Sequence, residues 1–310
     1  MSRNFKIFFS LILIAALALT GCQRAEQTKE KDTLNLVATT TMLADLSKVI
    51  GGGHVTVNGL MGPGIDPHLY QASAGDVTLM QEADVVVYNG LHLEGKMGEI
   101  FESLTDRGST VICIEEGLNE EDLLSWEGDS STHDPHIWFD VSLWKDAAQL
   151  VADKLSEADS AHSTDYANNL KAYLTELDAL DTYIKDKVSE VPQEQRVLIT
   201  AHDAFNYFGR AYGFEVRGLQ GISTDAEAGT ADVSNLADFI TERKIKAIFV
   251  ESSVPPKTIE ALQAAVKAKG FQVSIGGELY SDSLGGADSG AGTYILTVKS
   301  NIDTIVGALK

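Results

Sequence analysis

Short apolar segments alternate with amphipathic segments from residue 34 to the end of the chain, and this alternation constrains the fold more than any other feature. In the first half, strand-like runs cover residues 34–39, 55–61, 84–89 and 110–114, and segments with helical spacing cover 42–50, 74–83, 95–104 and 141–158. Strands that alternate with helices indicate βαβ units around a mostly parallel sheet. The sequence therefore predicts an α/β fold.

The alternation is interrupted once, at residues 164–191, where tyrosine and leucine recur at three- and four-residue steps. This spacing is typical of one amphipathic helix, which at ~1.5 Å per residue would be about 40 Å long. A coiled-coil partner is the alternative, but the pattern is short and its flanks are globular. Beyond it, strands are predicted at 196–200, 214–216, 247–251 and 271–275, and helices at 204–212, 231–243, 256–269 and 294–309. We predict two Rossmann-like lobes, 34–160 and 195–310, joined by one long rigid helix over 164–191.

The N-terminus has a different composition from the rest. Arg3 and Lys6 precede a short apolar run that ends in Leu-Thr-Gly-Cys at residues 19–22. A basic start, an apolar stretch too short to span a membrane and small residues before a cleavage point are typical of an export signal. The ending resembles a bacterial lipobox, so we predict a lipoprotein signal peptide over 1–21, acylation of Cys22 and a polar tether over 22–33. An ordinary signal peptide with a chance cysteine is the alternative.

Charge and cysteine content exclude several classes of protein. The chain has 24 Lys+Arg against 45 Asp+Glu, a net charge of −21, which argues against binding to nucleic acid phosphates. Its hydrophobic content of 44% is that of a folded globular protein. Two cysteines in 310 residues exclude a disulfide-stapled scaffold. Cys113 lies in an apolar run, and we expect it to be buried in the core.

Three of the seven histidines lie at predicted strand ends or in rigid loops. His68 and His136 each end an Asp-Pro-His triplet, and His202 follows a predicted strand. Proline fixes its own φ and restricts the residue before it, so each triplet can hold its histidine in one direction. Ligands in parallel α/β folds bind at the carboxyl ends of the strands. The three histidines are therefore predicted to form a metal site.

A carboxylate would complete such a site. Asp282 is the first candidate, because it follows a predicted strand, and Glu278 and Glu251 are alternatives at similar positions. For Asp282 alone, a helix N-cap is an equal possibility. His133 could be a further ligand or a neighbour of one, whereas the remaining histidines, 54, 92 and 162, are expected to be surface or packing residues. Trp138 is expected to lie in the core.

Five motifs carry a clear resemblance to one family. They are Gly-Ile-Asp-Pro-His-Leu-Tyr (64–70), Asp-Pro-His-Ile-Trp-Phe-Asp (134–140), Thr-Ala-His-Asp-Ala-Phe-Asn-Tyr-Phe-Gly (200–209), Gly-Leu-Gln-Gly-Ile-Ser-Thr (218–224) and Leu-Tyr-Ser-Asp-Ser-Leu-Gly (279–285). From lipobox to C-terminus, the chain resembles the TroA-like zinc/manganese solute-binding lipoproteins of ABC transporters, and most of all their manganese-binding members. The resemblance implies a metal in the cleft between two lobes, with His68 and His136 as ligands from the first lobe and His202 and Asp282 from the second.

The sequence is compatible with two metal ions, Mn²⁺ and Zn²⁺. Zinc-dedicated members often carry a His-rich insertion before the second Asp-Pro-His, whereas residues 117–132 here are acidic and serine-rich. Many manganese-dedicated members have a glutamate where this chain has His202. Three imidazoles and one carboxylate suit zinc by ligand preference. The closeness to the manganese-binding members favours Mn²⁺, with Zn²⁺ as the alternative.

The function implied is capture of an ion rather than catalysis. The resemblance implies a monomer held on the extracytoplasmic face of the cell membrane, which passes its ion to an ABC permease. No Gly-x-x-x-x-Gly-Lys-Ser/Thr phosphate loop occurs here, so the ATPase is expected to be a separate chain. A metal-dependent surface hydrolase and an adhesin are the competing classes. No His-Glu-x-x-His helix supports the first, and no repeats support the second.

Overall fold

A computed structural model describes residues 33–126 and 129–310. The prediction of an α/β fold is confirmed: the first half is a parallel four-stranded sheet in the order β2-β1-β3-β4 with helices packed on it. Its strands are β1 (Leu34–Ala38), β2 (Val55–Gly59), β3 (Val85–Tyr88) and β4 (Thr110–Cys113), and its helices are α1 (Thr41–Gly51), α2 (Ala74–Glu82), α3 (Gly98–Asp106) and α4 (Val141–Ala158). The central strands β1 and β3 have consecutive buried residues, and therefore burial on both faces, as a parallel sheet covered by helices requires, whereas the edge strand β2 is partly exposed.

A two-stranded hairpin in the first half was not predicted. β5 (Ser125–Trp126) pairs antiparallel with β6 (Asp129–His133). These strands are too short and too polar to give a period-two signal. The hairpin leads directly into the second Asp-Pro-His triplet, so it determines where that triplet begins.

The second half contains two parallel strand pairs. β7 (Val197–His202) pairs with β8 (Glu215–Gln220), β9 (Ala247–Glu251) pairs with β10 (Ser274–Leu279), and β7 also packs beside β9. The helices are α6 (Asn206–Tyr212), α7 (Thr230–Arg243), α8 (Lys257–Ala268) and α9 (Tyr294–Leu309). The candidate ligands of this half lie at the carboxyl ends of its strands: His202 ends β7, Glu251 ends β9, and Asp282 follows β10.

The position of β10 was predicted wrongly, because the strand begins at Ser274 and not at residue 271. Glycine weakens a strand interior, yet Gly276 and Gly277 lie inside this strand, where the pairing with β9 shifts register between Ile275 and Glu278. A Cβ on Gly276 would lie 2.6 Å from the ring of Phe249. Close packing of backbone against an aromatic ring therefore requires glycine here.

The long helix expected at residues 164–191 is α5 (Ser163–Ser189), with 27 residues. It packs against α1 and α4 of the first half and against α9 of the second. Its buried residues continue one hydrophobic core that includes side chains from both halves. They are Tyr166, Leu170, Tyr173, Leu177, Leu180, Ile184 and Val188. The lobe boundaries predicted above remain a prediction.

Direct contacts also join the two halves beside the candidate site. Trp138 donates its indole N–H to the carbonyl of Ser281 at 2.9 Å, and Tyr294 donates its hydroxyl to the carbonyl of Trp138 at 2.7 Å. The backbone N–H of Leu284 donates to Thr41 Oγ1 at 2.7 Å. The segment around Ser281 is therefore held against the first half by hydrogen bonds at both of its ends.

Several predictions concern residues outside the described range. The signal peptide, Cys22 and all of the tether except Thr33 lie there. Within the described residues, no helix has both the length and the apolarity needed to cross a membrane. Cys113 is buried, as expected, and is a free thiol.

Candidate metal centre

The structure brings four predicted ligands together where the two halves meet. One ligand atom each from His68, His136, His202 and Asp282 lies within 4.8 Å of the other three. Their exposed fractions are 3%, 0%, 0% and 1%. Four polar side chains buried at one point need strong compensation, since burying a polar group without a partner is costly.

The two Asp-Pro-His triplets fold in the same way. Asp66 Oδ1 accepts from the backbone N–H of His68 at 2.9 Å, and Asp134 Oδ1 accepts from that of His136 at 3.0 Å. Each aspartate thus makes an Asx turn across its proline. The turns direct both imidazoles inward, and the two Nε2 atoms are 3.3 Å apart.

His202 is the last residue of β7, which extends two residues beyond the predicted strand end at residue 200. Its backbone N–H donates to Glu251 Oε1 at 2.9 Å, and its Nδ1 lies 2.6 Å from Glu251 Oε2. Glu251 ends the neighbouring strand β9, so it lies behind the imidazole and not among the four ligand atoms. The alternative ligand Glu278 is exposed on β10 and is outside the cluster as well.

Asp282 follows β10 by three residues and faces two imidazoles. Its Oδ1 is 3.4 Å from Nε2 of His136, and its Oδ2 is 3.3 Å from Nε2 of His202. Ser253 donates its hydroxyl to Oδ2 at 3.2 Å. No helix in the described part of the chain begins at Asp282, so the N-cap alternative is wrong.

The spacing of the donor atoms matches the size of a first-row metal ion. In a tetrahedron with bonds of about 2.0 Å, the donors are separated by about 3.3 Å. Three donor separations, from Nε2 of His136 to Nε2 of His68 and to Asp282 Oδ1 and from Nε2 of His202 to Asp282 Oδ2, are 3.3–3.4 Å, and the four ligand atoms all lie within 4.8 Å of one another. Among the described residues, Nε2 of His202 and Oδ1 of Asp282 are buried atoms of the cluster without a hydrogen-bond partner. These unsatisfied donor atoms fit a cation at the centre of the cluster.

Burial and neighbouring carboxylates shift the pKa values of the histidines in different directions. Burial lowers the pKa of His68 to about 3. Burial acts the same way on His136, but Asp134 and Asp282 outweigh it and raise the pKa of that imidazole. For His202, Glu251 and Asp282 outweigh burial and hold the pKa well above its usual value. Burial opposes ionisation of Asp282, but His202 and His136 keep its pKa well below the usual range.

The structure adds residues that the sequence did not single out. Asp134 Oδ1 lies 2.7 Å from Nδ1 of His136, and its Oδ2 accepts from the side-chain amide of Asn206 at 3.1 Å. Asp134 therefore orients the ring of His136 from the side opposite the cluster. Glu251 does the same for the ring of His202, and this arrangement is common for histidine ligands. The repeated Asp-Pro-His pattern contained the signal for Asp134. No local pattern pointed to Asn206.

The other histidines lie outside the cluster. His133 ends β6 and is half-buried. His54 and His162 stack with ring centroids 3.8 Å apart near the start of α5, beside Asp165 and Asp159 respectively. Trp138 is in the core, as expected, with its ring 5.3 Å from that of His136.

The α/β fold and the buried cluster together define a class of protein. In this class of α/β metal-binding proteins, three imidazoles and one carboxylate converge between two halves built on parallel strands. The family model of the zinc-uptake complex component A, periplasmic (ZnuA), matches residues 36–308. The chain belongs to this family.

Individual relatives agree in fold and length. The zinc-binding protein TroA of Treponema pallidum is 49% identical over 301 residues, which is 96% of each chain. The manganese-binding lipoprotein MntA of Bacillus subtilis is 45% identical over 96% of this chain and 97% of its own. The solved structure of the periplasmic zinc-binding protein TroA from Treponema pallidum superposes with a TM-score of 0.86 at 50% identity, covering 89% of this chain and 99% of that one.

Proposed function

We propose that this protein captures a divalent transition-metal ion outside the cytoplasm and passes it to the permease of an ABC importer. The supporting observation is the buried cluster of His68, His136, His202 and Asp282, whose donor spacing fits a metal ion. We assign these four residues as the ligands. The names of TroA and MntA, a zinc-binding and a manganese-binding protein, support the same class of cargo.

The proposed mechanism is binding and release without turnover. Three neutral imidazoles and the ionised Asp282 supply four donors from the protein itself. A catalytic zinc site keeps one coordination position open for water or substrate. The cluster is buried from solvent, so such a position is not offered to an external substrate. This supports a carrier over a hydrolase.

We propose Mn²⁺ as the physiological cargo and Zn²⁺ as the alternative. The two oxygens of Asp282 face different imidazoles, so the carboxylate can bind through both and give the higher coordination number that manganese accepts. Zinc is favoured by the three imidazoles and by the tetrahedral spacing. The Irving–Williams order also places zinc above manganese in affinity, so supply outside the cell would decide occupancy.

The test is metal analysis of the full chain purified under controlled supply of Mn²⁺ and Zn²⁺. One equivalent of metal is expected, and His68→Ala or His202→Ala should abolish its retention, whereas His162→Ala, at a half-buried histidine near the start of α5 and outside the cluster, should not. Loss of manganese uptake on deletion of the protein supports Mn²⁺ as cargo. Zinc retained under every supply, with no displacement by manganese, would overturn the Mn²⁺ assignment.

Attachment to the membrane belongs to the same proposal. We infer that residues 1–21 are removed, that Cys22 is acylated, and that residues 22–33 tether the monomeric protein to the outer face of the cell membrane. Two or more acyl chains suffice for stable anchoring. A separate ATPase chain would drive the permease. Metabolic labelling with a palmitate analogue should mark the wild type and not Cys22→Ser, whereas Cys113→Ser should be labelled normally.

The lobes 34–160 and 195–310, with 164–191 between them, are part of this proposal too. Two ligands would then come from each lobe, and the ion would lie in the cleft between them. Contacts across the cleft, such as that of Trp138 with Ser281, support this arrangement.

A further inference from the structure

The two carboxylate oxygens of Asp282 have different surroundings. Oδ1 is buried without a hydrogen-bond partner, and it lies 3.4 Å from Nε2 of His136. Oδ2 lies 3.3 Å from Nε2 of His202 and accepts a hydrogen bond from the hydroxyl of Ser253 at 3.2 Å. Ser253 therefore contacts a proposed ligand without belonging to the cluster of four ligand residues.

The pairing of β9 with β10 places Ser253 beside a second hydroxyl. Glu251 and Leu279 are partners at the ends of the two strands, and the backbone N–H of Ser252 donates to the carbonyl of Leu279 at 2.9 Å. Two residues beyond each strand end, Oγ of Ser253 and Oγ of Ser281 are 2.8 Å apart. The register of the two strands thus brings the two hydroxyls together.

The direction of these hydrogen bonds follows from the chemistry of the three groups. Each serine hydroxyl has one proton to donate and lone pairs that accept, whereas an ionised carboxylate can only accept. The arrangement that satisfies both contacts has Ser281 donating to Ser253, and Ser253 donating to Oδ2 of Asp282. Ser281 is itself held at its carbonyl by the indole N–H of Trp138, at 2.9 Å. The hydroxyl of Ser253 therefore has a fixed direction toward Asp282.

The hydrogen bond from Ser253 fixes the plane of the carboxylate. The terminal torsion of an aspartate is broad, so Asp282 does not hold one orientation of its carboxylate by itself. With Oδ2 bound to Ser253, Oδ1 stays near His136 and Oδ2 stays near His202, so each oxygen faces an imidazole. Without this bond the carboxylate can turn and present one oxygen to the ion.

We propose that Ser253 is a positioning residue that keeps Asp282 bound to the ion through both oxygens and thereby sets the preference between Mn²⁺ and Zn²⁺. This inference rests on the proposed function. Three imidazoles and both oxygens supply five donors, whereas a carboxylate bound through one oxygen leaves four. Zinc is satisfied by four donors in a tetrahedron, but manganese favours carboxylate oxygens and a higher coordination number. Loss of the Ser253 hydroxyl should therefore weaken the binding of Mn²⁺ more than that of Zn²⁺.

The experiment compares Ser253→Ala with Ser252→Ala in the full chain. Oγ of Ser252 is buried without a hydrogen-bond partner, so this control removes a neighbouring hydroxyl that makes no bond. Competition with a chelating dye measures the affinities for Mn²⁺ and Zn²⁺. For Ser253→Ala, the affinity for Mn²⁺ should fall by about 10–100-fold, and the ratio of Zn²⁺ to Mn²⁺ affinity should rise by about tenfold or more. Ser252→Ala should keep the wild-type ratio.

Cobalt reports the coordination of the ion directly. The visible absorption of Co²⁺ is weak at higher coordination numbers and intense in a tetrahedral site. Wild-type protein loaded with Co²⁺ should give the weak spectrum, and Ser253→Ala the intense one. Ser253→Thr, which keeps the hydroxyl, should restore both the weak spectrum and the wild-type ratio of affinities. An intense spectrum from the wild type would overturn the proposal.

The outcomes separate this inference from the proposed function. If the wild type retains neither metal, the proposed function fails, and the inference fails with it. If the wild type binds metal and Ser253→Ala leaves the ratio of affinities unchanged, whether or not both affinities fall, the positioning role of Ser253 alone is wrong. Should Ser253→Ala not fold, Ser281→Ala removes the hydroxyl that donates to Ser253 and should shift the ratio in the same direction. An unchanged ratio in that variant would overturn the inference as well.

Discussion

His68 differs from the other two imidazoles in what lies behind its ring. Nδ1 of His136 lies 2.7 Å from Asp134, and Nδ1 of His202 lies 2.6 Å from Glu251, both buried carboxylates. Asp66, the counterpart of Asp134 in the first triplet, binds the hydroxyl of Thr224 instead of the ring of His68. Buried carboxylates thus lie against the rings of His136 and His202, whereas Asp66 contacts the backbone N–H of His68.

The first prediction concerns the two carboxylates behind the rings. Asp134→Asn and Glu251→Gln keep the shape but remove the charge that orients His136 and His202. We expect metal affinity to fall by about 10–100-fold for each. Competition with a chelating dye measures it, and Asp153→Asn, on the exposed face of α4, is the control. Unchanged affinity in both variants would show that the carboxylates have only a structural role.

The second prediction concerns pH. The pKa values of His136 and His202 are raised, so both imidazoles are protonated below those values in the metal-free protein and must lose a proton to bind metal. The pKa of His68 is about 3, so this ring is already neutral. Affinity should therefore decrease as pH falls, by about a hundredfold per unit where two protons are displaced.

Chelator competition at a series of pH values checks this slope. The variant Glu251→Gln should give a shallower slope, because the pKa of His202 is no longer raised by that carboxylate. A slope of zero over the acidic range would contradict the expectation. Asp282 adds nothing to the slope, because its pKa lies well below the usual range.

Among the structural elements, the turn after β3 stores backbone strain beside the site. Gly90, Leu91 and His92 all have positive φ, at 77°, 53° and 62°. For the two non-glycine residues such a conformation costs on the order of 1–3 kcal/mol each. The preceding residue, Asn89, donates its side-chain amide to the carbonyl of Pro135 at 3.1 Å. The turn therefore supports the triplet that contains His136.

Glu94 stabilises this turn, and its removal is the third prediction. Its carboxylate is buried and accepts from the hydroxyl of Thr39 and from the backbone N–H groups of Asn89 and Gly90. Glu94→Ala leaves these donors unsatisfied, so we expect a loss of about 3 kcal/mol in the free energy of unfolding. It should also weaken metal binding through Asn89.

Urea unfolding measures the first effect and chelator competition the second. The matched control is Glu99→Ala at an exposed site in α3, with an expected change within about 0.5 kcal/mol. If Glu94→Ala loses stability but keeps full metal affinity, the link from the turn to His136 is wrong.

Element boundaries show what a local pattern can determine. α4 begins and ends where the periodicity predicted, because the side chain of Asp140 caps its first turn and the apolar stripe is regular. β10 was misplaced, because Gly276 inside it is required by the close approach of the Phe249 ring on the neighbouring strand. No pattern within residues 271–279 contains that information.

At the scale of the whole molecule, α5 and a shared core connect the halves. The helix packs on α1, α4 and α9, and one cluster of buried side chains continues through both halves. Opening the cleft widely would expose part of this core, at a cost of roughly 25 cal/mol per Å² of apolar surface. We therefore expect only a modest movement of the lobes on metal binding.

Small-angle scattering of the metal-free and metal-loaded protein is the measurement for this fourth prediction. The radius of gyration should change little, and the His202→Ala variant mixed with the same metal provides the control. A large compaction on loading would contradict the expectation and would indicate a hinge on either side of α5.

The sequence by itself determined the α/β alternation, the long helix and the histidines that could meet, because periodicity and proline-locked triplets act over a few residues. Only the tertiary structure decided which carboxylate joins them. Asp282, Glu251 and Glu278 all lie at or near the carboxyl ends of strands, but Glu251 lies behind His202 and Glu278 is exposed on β10. Which of these side chains faces the imidazoles depends on the strand register, on the glycines of β10 and on the packing of the two halves. All three depend on contacts between residues far apart in the chain, which a local sequence pattern does not contain.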